Sequence, residues 1–280
     1  MKVYIDVDQW GFASKHDKDR FFLRHMPGDS GKWNDITLES NYEDAETIIC
    51  FDYFCKNHQI NGKKLIQVRQ EPDFIQKYSR YPYADSYVDN QTDFQATFWF
   101  IDIPYNFLEN LSYEEAKYLK TKNCSAIFTN KHRHRNYFFS NLSYTFKEVD
   151  FFGKGISEIV GEDRYMGVLN QNGLCKYEGL KSYQKSIAVE NSSQSGYFTE
   201  KIADCFVSWT LPLYWGCPDI EQLFPKESVR KINLENIEDC IEKIREPITK
   251  IEIEAIGEAR QMILKKYNFW ASIERAIGRL

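Results

Sequence analysis

Residues 186–206 read SIAVENSSQSGYFTEKIADCF, and LPLYWGCP follows shortly after as residues 211–218. The first stretch opens as an apolar strand, Ser186–Val189, that runs out at Glu190-Asn191 into a small polar loop containing Gly196. Thr199 then stands where a helix N-cap belongs, with Glu200 and Lys201 in the first turn of a helix expected over Thr199–Trp209. The second stretch reads as another strand, Leu211–Trp215, closed by the turn Gly216-Cys217-Pro218. Strand, short polar loop, helix and strand in that order form the unit from which helix-covered parallel sheets are built. A helix N-terminus offers unpaired N–H groups and a positive dipole end, which suit a diphosphate. Lys201 adds a full charge there, and Glu200 is able to accept from ribose hydroxyls. On these residues alone the segment is either an anion site at a strand–helix junction or a capped helix start with a solvated lysine.

The same alternation extends outward. Short apolar runs predict strands at Lys2–Val7, Thr47–Phe51, Lys64–Arg69, Thr97–Ile101, Ala126–Thr129, Glu148–Phe152 and Val229–Ile232. Helices are expected near Arg133–Tyr144, Ile237–Arg245 and Ile251–Tyr267. Lys117–Asn123 is polar and lysine-rich just before a fresh strand. The reading is therefore an α/β chain with an N-terminal Rossmann-like domain over 1–122 and a C-terminal one over 123–264. The final helical stretch, about 265–280, is placed to pack back on the first domain. Ligands in such folds sit at the carboxyl ends of the strands.

Composition narrows the function classes. The net charge of −5 argues against a general nucleic-acid binder, which needs a broad basic surface, but leaves room for one cationic pocket. Eighteen Tyr and twenty Phe exceed the needs of a core, so some are expected to line clefts. The start, Met1-Lys2-Val3-Tyr4-Ile5-Asp6, is a strand rather than a signal peptide, and no apolar run reaches membrane-spanning length. The expectation is a cytoplasmic protein (host cytoplasm if viral). Seven cysteines without a CxxC pair read as free buried thiols, not a zinc ribbon.

The segment 190–216 is similar to the donor-binding motif of glycosyltransferase family 10, the α-1,3/4-fucosyltransferases. That motif runs Glu-Asn-Ser, then Tyr-x-Thr-Glu-Lys, then Pro-Ile/Val-Tyr/Val-x-Gly. Here it stands as Glu190-Asn191-Ser192, Tyr197-Phe198-Thr199-Glu200-Lys201 and Pro212-Leu213-Tyr214-Trp215-Gly216. Phe128-Thr129-Asn130 followed by Arg135-Asn136-Tyr137-Phe138 resembles the family's Ser-Asn and Arg-x-x-Phe/Tyr element, with Thr129 in place of Ser. Gln70-Glu71-Pro72-Asp73-Phe74 resembles its Glu-containing, Pro-terminated acceptor motif. The likeness covers roughly residues 124–245 well and 60–75 thinly.

The resemblance implies a GT-B fold, two facing Rossmann-like domains with an interdomain cleft, and an inverting, metal-independent enzyme. Glu71 maps onto the catalytic base. Arg135 maps onto the phosphate-binding arginine, with Arg133 as the alternative, and Lys201 shares the phosphate charge. Asn191, Tyr197 and Glu200 map onto ribose and sugar contacts. Glu190 either touches the sugar or orients the loop, and Thr199 and Gly216 complete the donor site. The implied co-substrate is GDP-fucose, with a glycan hydroxyl as acceptor. A UDP-sugar such as UDP-xylose on the same scaffold is one alternative, and a non-catalytic nucleotide-sugar or glycan-binding module is another.

Two rival signals remain. Asp6-Val7-Asp8 has the form of a metal-binding DxD. Lys131-His132-Arg133-His134-Arg135 is a basic run whose histidines lie two apart, on different faces of a helix, so a phosphate-facing helix start fits it better than a metal site. Phe94–Asp102 is aromatic-rich and reads as a core strand, with Trp99 a candidate platform for an acceptor sugar.

Overall fold

The computed structural model of the chain describes residues 1–7, 14–51, 62–69, 84–89, 95–169 and 175–278. Two α/β units emerge. One comprises Met1–Phe98, Ile103–Glu109 and Leu264–Leu280; the other comprises Trp99–Asp102 and Asn110–Ile263.

The first unit is built on β1 (Lys2–Asp6), β2 (Lys32–Trp33), β3 (Ile36–Leu38), β4 (Thr47–Phe51), β5 (Lys64–Val68) and β6 (Ser86–Val88), in the order β2-β3-β1-β4-β5-β6. All neighbours are parallel except the β2–β3 pair. The five residues of β4 are all buried, as expected of a central strand covered on both faces. Helix Phe269–Ile277 supplies much of the core. Phe269 stacks on Phe98 at 4.8 Å and on Phe51 at 5.5 Å, and Trp270 Nε1 donates to Phe22 O at 3.0 Å. Helices Lys250–Lys265 and Phe269–Ile277 are separate because Asn268 caps the second. Its Oδ1 accepts from Trp270 N at 2.9 Å, and its Nδ2 donates to His25 O at 3.0 Å.

Residues 97–101, expected as a strand, are not one. Thr97 makes a single bridge to Asn268, and the Phe100 and Ile101 amides donate to the Asp204 carboxylate, at 2.7 and 3.4 Å, instead of to a neighbouring strand. The apolar run is explained by burial alone: Phe98 is 2% exposed and Trp99 0%, which removes Trp99 as a sugar platform.

The second unit carries β7 (Lys122–Ile127), β8 (Val149–Phe152), β9 (Tyr183–Val189), β10 (Leu211–Trp215) and β11 (Arg230–Lys231), all parallel, in the order β11-β10-β9-β7-β8. Phe138, Phe139 and Leu142 of helix Arg133–Thr145, with Cys240, Ile241 and Ile244 of helix Ile237–Arg245, pack on Ala126, Phe151, Ile187, Val189 and Leu213. Strand alternation turns Ser186, Ala188 and Glu190 to the opposite face, beneath helix Glu200–Val207. From β7 the chain moves to β8 on one side, then returns to lay β9, β10 and β11 on the other. The order therefore reverses between β7 and β9, and their carboxyl ends frame the crevice where open α/β sheets take ligands.

Residues 110–122, assigned to the first domain by the sequence reading, group with the second unit. Trp209 Nε1 donates to Leu111 O at 2.9 Å. Lys120 Nζ donates to Leu180 O at 3.1 Å, Ser208 O at 2.8 Å and Thr210 Oγ1 at 2.7 Å. One side-chain amine thus reaches carbonyls at the C-terminal ends of two helices, and burial lowers its pKa to about 7. In Lys120→Met those acceptors lose their donor, and the loss expected in urea unfolding is about 2–3 kcal/mol.

Candidate functional site

Sequence places helix starts after β7 and β9, and both starts lie at the crevice. After β7 the chain passes through Phe128-Thr129-Asn130 into helix Arg133–Thr145, whose N-cap, His132, makes no side-chain capping bond. No acidic residue stands in its first turn, so its N-terminal amides are left to a ligand or water. Arg135, in that first turn, is only 4% exposed. Its Nη1 donates to Asn191 Oδ1 at 3.1 Å and Val189 O at 3.4 Å, and its Nη2 to Thr129 O at 3.5 Å. The guanidinium therefore spans the switch point, with one hand on the end of β7 and the other on the end of β9. Its Nε is buried with no hydrogen-bond partner. Burial pulls the Arg135 pKa down, while the charges of Glu190 and Glu200 act to raise it. An anion reaching Arg135 would offset that desolvation with its charge and accept from the spare N–H.

On the other face of β9, Glu190 has no exposed surface. Its Oε1 accepts from Thr199 N at 2.9 Å and its Oε2 from Thr199 Oγ1 at 2.7 Å, with Lys201 Nζ 3.2 Å from Oε2. Thr199 caps helix Glu200–Val207, accepting from Lys201 N at 3.3 Å. Gly216 makes the brace possible. A Cβ there would lie 2.4 Å from Glu190 Cγ and 2.6 Å from the Tyr214 hydroxyl, so any side chain would displace the carboxylate. Both Glu190 oxygens are thus engaged by Thr199 at the end of the loop.

Lys201 Nζ also lies 3.1 Å from Thr199 Oγ1 and 3.2 Å from Glu200 Oε1. Burial would lower its pKa, yet Glu200 and Glu190 raise it, so the ammonium stays charged. Behind Glu200, one helical turn on, Asp204 pairs with Lys176 at 2.5 Å. Burial acts to raise Glu200, but Lys201 and Lys176 hold its carboxyl down to about 2. His134 stands against Trp215, ring centroids 5.5 Å apart, and burial lowers its pKa, as it does that of His132.

The structure thus brings Arg135, Glu190, Asn191, Thr199, Glu200, Lys201 and Gly216 to one edge of one sheet, with Tyr197 buried beside them at 5% exposure. Arg133 is on the exposed face of its helix. Glu71 lies outside the described residues, as does Asp8 of the DxD pattern; Asp6 is 2% exposed at the end of β1. Among the described residues no group of three or more His, Cys, Asp or Glu is placed to hold a metal ion. Sequence reasoning missed Lys176 and Asp204, whose partnership bridges 28 residues without a local pattern, and Asp219, which the turn after Gly216 could have flagged.

Residues 117–246 match the model of the glycosyltransferase family 10 (fucosyltransferase) C-terminal domain. That segment, a little under half of the chain, is similar to the family's C-terminal domain. It is 34% identical over 91 residues to the alpha-(1,3)-fucosyltransferase FucT of Helicobacter pylori, covering 32% of this chain and 19% of that protein. To a fucosyltransferase-like protein of Arabidopsis thaliana it is 35% identical over 75 residues, covering 27% and 14%. The chain thus spans about a fifth or less of the length of these relatives. A crystal structure of an alpha1,3-fucosyltransferase with GDP superposes with a TM-score of 0.56 at 18% identity, over 99% of this chain and 90% of that one. A second alpha1,3-fucosyltransferase crystal structure gives 0.52 at 18% identity, over 96% and 81%. Both share the α/β fold with two parallel-sheet units described above. Among the described residues no helix is long and apolar enough to cross a membrane.

The depressed Glu200 pKa has a consequence for the family-10 segment. An unfolded glutamate titrates near ~4.3, so the group contributes stability that is present above that value and lost as pH falls toward the folded pKa, about 2. Glu200→Gln should flatten the acid limb of a thermal-stability curve below about pH 4.3 and leave the curve's slope near neutrality unchanged.

Proposed function

We propose that the chain is a glycosyltransferase that moves a sugar from a nucleotide-sugar donor, GDP-fucose, to a glycan hydroxyl. The observation that carries this reading is the buried Arg135 guanidinium at the β7/β9 switch point, with an unpartnered Nε and two helix starts beside it. The similarity of the surrounding segment to family 10 and the GDP held by a related alpha1,3-fucosyltransferase structure support the choice of donor.

In this reading the donor diphosphate lies across the crevice. Arg135 and Lys201 meet its charge, assisted by the amides that open helices Arg133–Thr145 and Glu200–Val207. Asn191, Tyr197 and the ionised Glu200 hold ribose and sugar hydroxyls. Thr199 and Gly216 act through the Glu190 brace. Because Arg135, Lys201 and Lys176 are balanced by Glu190, Glu200 and Asp204, the site is assembled before the ligand arrives. The diphosphate's own charge is then met by Arg135, Lys201 and the N–H dipoles, and no metal is required. Charge grows on the leaving diphosphate as the glycosidic bond breaks, so these groups act most strongly in the transition state.

Glu71 is assigned the base that takes the proton of the acceptor hydroxyl as it attacks the anomeric carbon. Attack from the face opposite the nucleotide inverts that centre. The acceptor is a glycan, and the compartment in this reading is the cytoplasm.

Calorimetric titration without added metal, across GDP-fucose, GDP-mannose, UDP-xylose, UDP-glucose and UDP-galactose, should give binding to GDP-fucose alone. Arg135→Met should weaken that binding by about 10- to 100-fold, the size expected for loss of a charge-assisted bond. Binding of a UDP-sugar in its place would keep the phosphate site and discard fucose; no binding by any donor would overturn the assignment.

Glu71→Gln should retain GDP-fucose affinity while losing turnover by about 10²- to 10⁴-fold. The first product formed, read by anomeric couplings in NMR, should have the configuration opposite to the donor's. Normal turnover in Glu71→Gln would place the base elsewhere, and full donor binding without any transfer by the wild type would make the chain a binding module.

A further inference from the structure

Between β9 and helix Glu200–Val207 the chain must cross residues 191–198, of which 191–196 are polar residues and glycine with little apolar side chain to pack. Left to itself such a loop samples many conformations, and any ligand it touches has to order it first. At its base the loop is closed by Glu190 and Thr199, as described. Its tip is held from a different element. Asp219, in the turn after β10, accepts from Ser195 Oγ at 2.7 Å through Oδ2 and from Gly196 N at 3.0 Å through Oδ1, which also lies 2.9 Å from Cys217 Sγ. Gly196 sits at φ 70°, a left-handed conformation that glycine adopts without a steric penalty and that turns its N–H to the carboxylate. A turn inside the loop, Tyr197 N to Gln194 O at 3.1 Å, completes the fastening.

We propose that Asp219 is a positioning residue for the nucleotide sugar: by fastening Ser195 and Gly196 it fixes the loop that presents Asn191 at one end and Tyr197 at the other. The inference rests on the donor site proposed above and assigns a role to a residue outside its motif. Asp219 itself touches no ligand in this scheme. Its effect runs through Gly196, whose next neighbour is Tyr197, and through the loop body to Asn191, which accepts from Arg135. The Asp219 carboxyl is partly exposed, and against the small burial that would raise its pKa the bonds from Cys217, Ser195 and Gly196 hold it down to about 2. The fastening is therefore charged at any working pH and does not act as a pH switch.

Two measurements on the intact chain test this. Amide hydrogen exchange in the absence of ligand should show faster exchange across 192–198 in Asp219→Ala than in wild type, with Asp219→Asn between them because its amide oxygen still accepts one N–H. GDP titration by calorimetry should show Kd raised about 10-fold in Asp219→Ala. In turnover the KM for GDP-fucose should rise by a similar factor, with kcat at saturation and the KM for acceptor within about two-fold of wild type. Unchanged exchange in Asp219→Ala overturns the fastening. Faster exchange with unchanged GDP affinity overturns the positioning role and leaves Asp219 a structural brace. A wild type that binds no GDP, yet shows the exchange difference, overturns the proposed function and not the fastening.

Discussion

A carboxylate with no surface exposure is expensive to bury, and Glu190 is tolerated because three donors converge on it. Thr199 N and Thr199 Oγ1 use both oxygens, and Lys201 supplies the countercharge. The same contacts set where β9 ends, where helix Glu200–Val207 begins and how Lys201 is aimed. Gly216 follows as a requirement, since the approach of Glu190 leaves no volume for a side chain on β10. Across the sheet, Arg135 does for β7 and β9 what Glu190 does for β9 and the helix. Two buried charges of opposite sign, one on each face of the sheet, thus mark the carboxyl edge of the second unit's sheet.

That edge was well legible in sequence, for a physical reason. Thr199 is a capping residue, Gly216 is forced by close approach, and Glu190 and Lys201 are charges in apolar company; each leaves a local mark. The central strands β4, β9 and β10 were legible too, because continuous apolar runs bounded by polar turns have few other readings. The failures came where burial and strand formation part company. Residues 97–101 carry the aromatic content of a core strand, but the Phe100 and Ile101 amides are satisfied by one carboxylate, Asp204, 104 and 103 residues away in the chain. Nothing local distinguishes that case. The assignment of residues 110–122 failed similarly, since Lys120 looks like a solvated lysine until Leu180, Ser208 and Thr210 are known to surround it. Short strands such as β2, β3 and β6 are too brief for periodicity to register.

The charge arrangement bears on how an anion site can be held open without collapsing. Arg135, Lys201 and Lys176 would repel one another if unpaired, and Glu190, Glu200 and Asp204 remove that repulsion. The pairing leaves the Arg135 Nε and the uncapped start of helix Arg133–Thr145 without acceptors among the described residues. Neutral His132 and His134 beside them add polarity without adding charge.

The contribution of Phe269 and Trp270 to the first unit has a bearing on synthesis. The core of that unit joins Phe22, Phe51 and Phe98 to residues from the chain's last helix. On a ribosome, residues 110–263 are complete before Phe269 emerges, so the second unit has every residue it needs while the first still lacks a stacking partner. The part of the chain made first is thus the part that closes last, and its aromatic face stays exposed until Phe269 has been added.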